Sequence, residues 1–172
     1  LDQSKIDHQK TNGQPLVVTS VKQPPPDCWP RDIKVRCRLH YYLADRQARQ
    51  FACDAIGVLL DSDGSITETS VANLAVVVNG EVISPPCEQV LPGITQGIVQ
   101  RIAATVGIPW RRATIYPAEL RTSDEVILMG TDGGIWFANR VDGHSIHGEQ
   151  PGEVYLRLLT GFDDYVRQRC YQ

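Results

Sequence analysis

Lysine is nearly absent from this 172-residue chain: Lys5, Lys10 and Lys22 precede the Pro24-Pro25-Pro26 run, Lys34 alone follows it, and every later fixed cation is arginine. Positive charge is not in excess either. The formal net charge is −3, with acids and bases intermixed, which leaves no electrostatic footprint for nucleic acid or for an anionic membrane. Cys28, Cys37, Cys53, Cys87 and Cys170 contain no Cys-x-x-Cys pair and are odd in number, so neither a disulfide framework nor a zinc site is indicated. They read as free thiols, which points to a reducing, cytoplasmic setting. No apolar run approaches the roughly 18 residues that a membrane span needs, and no charged-then-apolar leader opens the chain. The chain starts Leu1-Asp2-Gln3-Ser4 and its single methionine is Met129, so it reads as a fragment or a processed chain.

What is present is enough for one domain. Hydrophobic residues make up 42% and charged residues 22%, a balance that can bury a real core. Residues 1–15 are polar, end in Asn12-Gly13-Gln14-Pro15, and are expected to be a linker or tail, with the folded domain spanning 16–172. The apolar, β-branched stretch 16–21 predicts a strand, and the triple proline after it predicts an extended loop. Leu39, Tyr42, Leu43, Ala48 and Phe51 recur at helical spacing over 38–51, without Gly or Pro. Strands are expected at 55–60 and 74–78, each ending in a hairpin signal, Asp61-Ser62-Asp63-Gly64 and Asn79-Gly80. A helix from Ile94 to Val106, strands at 112–116, 125–129 and 135–141, and a closing helix through Val154, Leu158, Phe162 and Val166 complete the pattern. Hairpin-joined strands of this kind argue for an α+β fold, a mainly antiparallel sheet or pseudo-barrel flanked by helices, and against a parallel doubly wound sheet.

Amine chemistry in the body of such a fold falls to Lys34. Arginine stays protonated, whereas burial or a neighbouring cation can lower the pKa of a lysine. Taken alone, Lys34 also reads as a surface lysine beside a helix start. Leu91-Pro92-Gly93-Ile94-Thr95 leads a loop into a helix, so unpaired N–H groups and the Thr95 hydroxyl meet at the positive end of a helix dipole, a plausible phosphate cradle. Taken alone, it is equally a capped helix start. Glu68 is expected in a turn after a short strand, either aimed into a pocket or solvated. His144 and His147 have a spacing a metal accepts, but Gly143 and Gly148 make an exposed turn of the segment, and no metal role is assigned to them.

In order along the chain, Ile33-Lys34 before a helix, Gly64-x-x-Thr67-Glu68-Thr69-x-x-x-Asn73, Leu91-Pro92-Gly93-Ile94-Thr95, Ala118-Glu119-Leu120 with Ser123-Asp124-Glu125-Val126, and Gly130-Thr131 resemble the class IV aminotransferases. These are the fold-type IV pyridoxal-phosphate enzymes, among them branched-chain and D-amino acid aminotransferases and aminodeoxychorismate lyase. The resemblance runs from about Leu16 to the C-terminus and implies the larger, C-terminal domain only, without the smaller N-terminal domain. It implies pyridoxal 5'-phosphate as cofactor, carried on Lys34, with Glu68 facing the pyridine nitrogen. Gly93, Ile94, Thr95 and Thr131 would hold the phosphate, and Thr131 and Asp132 would contact the substrate carboxylate. The implied reaction is transamination between an α-amino acid and a 2-oxo acid, in a homodimer. Leu39, where branched-chain enzymes carry a cofactor-facing tyrosine, and Arg38 before it are closer to the lyase and D-amino acid enzymes; Gly130-Thr131 favours an aminotransferase over the pyruvate-forming lyase. Gln96 stands where an arginine often follows the Gly-Ile-Thr segment. A non-catalytic assembly module is a third reading, which the presence of both Lys34 and Glu68 disfavours.

Overall fold

The computed structural model describes residues 3–170. Ten strands form one mixed sheet: β1 (Pro15–Lys22), β2 (Ile56–Leu60), β3 (Ile66–Thr69), β4 (Asn73–Val78), β5 (Glu81–Ser84), β6 (Trp110–Arg112), β7 (Glu125–Gly130), β8 (Gly134–Phe137), β9 (Arg140–Val141) and β10 (His144–Ser145). The helices are α1 (Gln3–Asn12), α2 (Leu39–Ala48), α3 (Ile94–Thr105), α4 (Pro117–Thr122) and α5 (Glu153–Cys170). The strand order is β10-β9-β1-β2-β3-β4-β5-β6, with β7 on β4 and β8 on β7. Parallel pairing is confined to β1 with β2, β1 with β9, and β5 with β6. The remaining pairs are antiparallel. The expected α+β fold with a mainly antiparallel sheet is therefore the observed one.

Strands β4 and β7 lie at the centre, and their continuous apolar runs follow from burial on both faces. Leu74, Val76, Val126 and Leu128 point into one core with Leu16, Val58, Ile66, Ile115, Leu120 and Trp136. Their neighbours Ala75, Val77, Ile127 and Met129 point into a second core, against Val99, Ile102, Val154, Tyr155 and Leu158 of α3 and α5. The period-2 alternation of side chains sends successive residues to opposite layers. The first core draws on strands from β1 and β9 to β8, so the sheet wraps around it, while the second is the sheet-to-helix layer.

Local chemistry sets the turns. Asn79 and Gly80 both adopt positive φ, 50° and 78°, as a two-residue hairpin joining right-twisted strands requires. At the start of α4, the Glu119 carboxylate accepts the Tyr116 N–H at 2.7 Å and satisfies a donor the helix leaves open.

Four expectations are corrected. Residues 3–12 are a helix, not a linker: the Asn12 carbonyl accepts from Asn139 Nδ2 (2.8 Å) and the Gln14 N–H donates to the Phe137 carbonyl (2.9 Å), so the polar segment is held by docking onto β8. Lys10 and Lys22 consequently belong to the folded body, in α1 and β1. The strand expected at 112–116 is β6 at 110–112; beyond it only single bonds persist, Ala113 N–H to the Ser84 carbonyl (3.0 Å) and Ile66 N–H to the Ile115 carbonyl (2.8 Å), before the chain enters α4. The stretch 135–141 is divided between β8 and β9, so its two halves pair with different partners, β7 and β1.

Among the described residues no helix is long and apolar enough to cross a membrane. Cys28, Cys37, Cys53 and Cys87 are free and exposed, and the Cys170 side chain lies outside what the structure describes. His144 and His147 are exposed, and no group of His, Cys, Asp and Glu among the described residues could hold a metal ion.

Candidate active site

A cavity of about 240 Å³ opens where the segment before α2, the β3–β4 turn, the start of α3 and the β7–β8 turn meet. Lys34, Glu68, Gly93, Ile94, Thr95, Thr131 and Asp132 all line it. Residues spread over nearly a hundred positions of sequence are thus gathered at one place. Lys34 is exposed in the irregular stretch ahead of α2 and, among the described residues, makes no hydrogen bond or ion pair.

Glu68 lies within β3, not in a turn after it, and is 5% exposed. Its partner in the ladder is Asn73 of β4. Oε1 accepts from Tyr41 Oη (2.6 Å) and Gln23 Nε2 (3.1 Å), and Oε2 accepts from Asn73 Nδ2 (3.0 Å) and the Leu91 N–H (3.2 Å). Two acceptor sites on each oxygen are thereby filled. Burial pushes the Glu68 carboxyl above its ordinary range, opposed by the bonds from Tyr41, the Leu91 N–H and Gln23 and by the Arg31 guanidinium. Burial and the adjacent carboxylate push the Tyr41 phenol up as well, so its hydroxyl stays protonated as a donor.

The N-terminus of α3 has Gly93 as its flanking residue, and no side chain caps it. Its first residues line the cavity, and their N–H groups have no acceptor from a capping side chain, an arrangement that favours a bound anion. Ser70 Oγ and Arg31 Nε, on residues that also line the cavity, are buried without hydrogen-bond partners. Arg31 itself is anchored to Asp61 Oδ1 at 3.0 Å, with both side chains largely buried. His40 is held below its ordinary pKa, by burial first and then by Arg38 and Arg31, and therefore adds no fixed positive charge.

The sequence pattern did not point to Gln23, Arg31 or Tyr41 as lining residues, and Arg38 stood out only as part of the Arg38-Leu39 pair. Gln23 and Arg31 gave no signal beyond being polar. Tyr41 carried one: it lies two residues beyond Leu39, on a helix whose other face is apolar. Leu39 is 61% exposed and takes no part in the lining, whereas Tyr41 enters it.

A family model described as amino-transferase class IV matches residues 2–141, and the chain belongs to that family. Over 155 residues it is 29% identical to a probable branched-chain-amino-acid aminotransferase of Thermotoga maritima, covering 90% of this chain and 56% of that protein. A D-alanine aminotransferase of Staphylococcus aureus is 28% identical over 136 residues, 78% of this chain and 48% of the relative. The solved branched-chain amino acid aminotransferase of Escherichia coli superposes with a TM-score of 0.87 at 28% identity, over 91% of this chain and 52% of that one. A second solved branched-chain enzyme, with pyridoxamine 5'-phosphate, gives a TM-score of 0.86 at 28% identity, over 92% of this chain and 52% of that one. The chain spans about half the length of the relatives it matches.

Proposed function

We propose that this chain forms the cofactor-binding half of a pyridoxal-phosphate-dependent aminotransferase of the branched-chain type, which moves an amino group between an α-amino acid and a 2-oxo acid. The observation that carries the reading is the convergence of Lys34, Glu68, the uncapped start of α3 and Thr131 on one cavity. The donor set fits the cofactor: an amine for an aldehyde, a buried carboxylate for a ring nitrogen, and helix N–H groups with hydroxyls for a phosphate. Ser70 Oγ and Arg31 Nε, on residues that also line the cavity, are buried without partners.

Bound pyridoxal phosphate would supply an aldehyde that condenses with amines and a ring that withdraws electrons from the substrate Cα. Lys34 would supply the amine that carries the cofactor and, when free, would serve as the general base for the substrate Cα proton. Glu68 would favour the protonated ring nitrogen through its negative charge. The N–H groups of Ile94 and Thr95 and the hydroxyls of Thr95 and Thr131 hold the phosphate, with Gly93 allowing close approach. The Thr131-Asp132 turn presents backbone donors to the substrate carboxylate. The expected assembly is a homodimer and the expected compartment the cytoplasm.

The test is borohydride reduction of the full-length protein mixed with pyridoxal phosphate, followed by peptide mapping. Label on Lys34, lost in Lys34→Ala, supports the reading; label elsewhere or none overturns it. Pyruvate released from an aminated chorismate without an amino acceptor would reassign the reaction to the lyase class.

A further inference from the structure

Of the four donors on Glu68, three are set by the backbone framework around the sheet. Asn73 of β4 is fixed by a second bond to the Leu91 carbonyl at 2.9 Å, the Leu91 donor is a backbone N–H of the loop before α3, and Gln23, directly after β1, places its own N–H on the Leu60 carbonyl. Tyr41 alone comes from α2, the element that follows Lys34. Its 2.6 Å contact lies in the range of charge-assisted O–H···O bonds.

The position of α2 is itself tightly set. Asp45 Oδ1 accepts the Gly57 N–H at 3.0 Å, and Ala44 and Ala48 are fully buried. A Cβ at Gly57 would lie 2.6 Å from the Ala44 carbonyl carbon, so helix and β2 touch backbone to backbone. The Tyr41 ring touches both of its polar neighbours, the Arg38 guanidinium 4.8 Å from its centroid and the tilted His40 ring at 4.0 Å between centroids. Arg38 in turn donates to the Ser70 carbonyl of the β3–β4 turn. Ring and hydroxyl therefore have little freedom.

We propose that Tyr41 is a positioning residue for Glu68: packed against Arg38 and His40 on a helix locked to β2, its hydroxyl fixes Oε1 and orients the carboxylate toward the cofactor ring nitrogen. The last step rests on the assignment of Glu68 made above. The hydroxyl of Tyr41 thus ties the segment that carries Lys34 to the carboxylate on the far side of the cavity. The other groups facing Glu68 are Gln23, Asn73, the Leu91 N–H and, at longer range, the Arg31 cation.

The cofactor-free protein decides the first part. With ¹³C-labelled glutamate carboxyls, Tyr41→Phe is expected to raise the Glu68 titration midpoint by about one pH unit, the size expected when one strong donor to a charged carboxylate is lost. An unchanged midpoint in folded Tyr41→Phe overturns the proposal. A second measurement needs no substitution at Tyr41: in protein labelled at the tyrosine ζ-carbon, the Tyr41 resonance should move with the Glu68 midpoint, and a stationary signal overturns the proposal equally. With pyridoxal phosphate added, Tyr41→Phe should retain the label on Lys34 after reduction but hold the unreduced cofactor several-fold less tightly. If the unsubstituted protein never labels Lys34 while Tyr41 and Glu68 titrate together, the coupling stands and the cofactor assignment falls.

Discussion

Gly93 and Gly97 are four residues apart at the start of α3, and the structure assigns opposite signs to their replacement by alanine. At Gly93 the backbone angles, −66° and 132°, are open to any residue, so backbone strain does not enter. Space does: a methyl there collides with Asn73 Oδ1. Relief requires the Asn73 amide to leave a position in which it donates to Glu68 at 3.0 Å and to the Leu91 carbonyl at 2.9 Å. A lost bond to a carboxylate costs about 1.5–3 kcal/mol and one to a neutral carbonyl about 0.5–1.5 kcal/mol. The lower entropy of alanine in the unfolded chain offsets about 0.4–1 kcal/mol. Gly93→Ala is thus expected to destabilise by about 1–4 kcal/mol and to lower Tm by several degrees, at roughly 2–4 °C per kcal/mol for a chain of this size. At Gly97 an added Cβ meets nothing within 4 Å, and the residue is inside α3, so Gly97→Ala should stabilise by about 0.5–1 kcal/mol. Urea unfolding of both variants is the assay. If Gly93→Ala unfolds at the same urea concentration as the parent, or both variants shift in the same direction, the steric reasoning is refuted.

Glu68 carries a pH signature: burial keeps its proton on in the folded chain at pH values where the unfolded chain has already released it. Its contribution to stability should therefore be greatest below the ordinary glutamate value of 4.5 and should decline as pH rises through the raised folded value. The stability of the parent relative to Glu68→Gln, measured by denaturant titration across that window, should fall; a flat or rising difference sinks the assignment. Glu125, within a stretch that contributes to the family resemblance, plays a structural part. Its carboxylate accepts the Val154 and Tyr155 N–H groups at 2.9 and 2.8 Å and so caps α5 from β7. Glu125→Ala should therefore cost about 2–4 kcal/mol in thermal or urea unfolding without changing which lysine is labelled by the cofactor. Asp61→Ala strips the largely buried Arg31 of its partner and is expected to cost about 3 kcal/mol; a cost below about 1 kcal/mol would show the pair to be solvated.

Much of this was legible along the chain because it is local. Period-2 and helical apolar patterns, the Asn79-Gly80 hairpin and the Gly107 stop of α3 determine element type through backbone sterics and burial, and the scarcity of lysine leaves few amine candidates, Lys34 among them. The ordered motifs named the cofactor-facing candidates by resemblance, with Lys34, Glu68 and Thr95 far apart in sequence. What local pattern does not encode is which distant groups meet. The polar segment 3–12 has too weak an apolar face to announce a helix and acquires one by bonding to β8. The Glu68 carboxylate gains its four donors from the residue after β1, from α2, β4 and the loop before α3, none of them within four residues of it. Tyr41 in place of Leu39 was decided by the rotation of α2 once Ala44 and Ala48 are pressed against the sheet. Sequence determined the elements and the chemical inventory, since those depend on neighbours along the chain; tertiary structure alone decided the wiring of the site, because hydrogen bonds and desolvation act over a few ångströms between residues that only folding brings together.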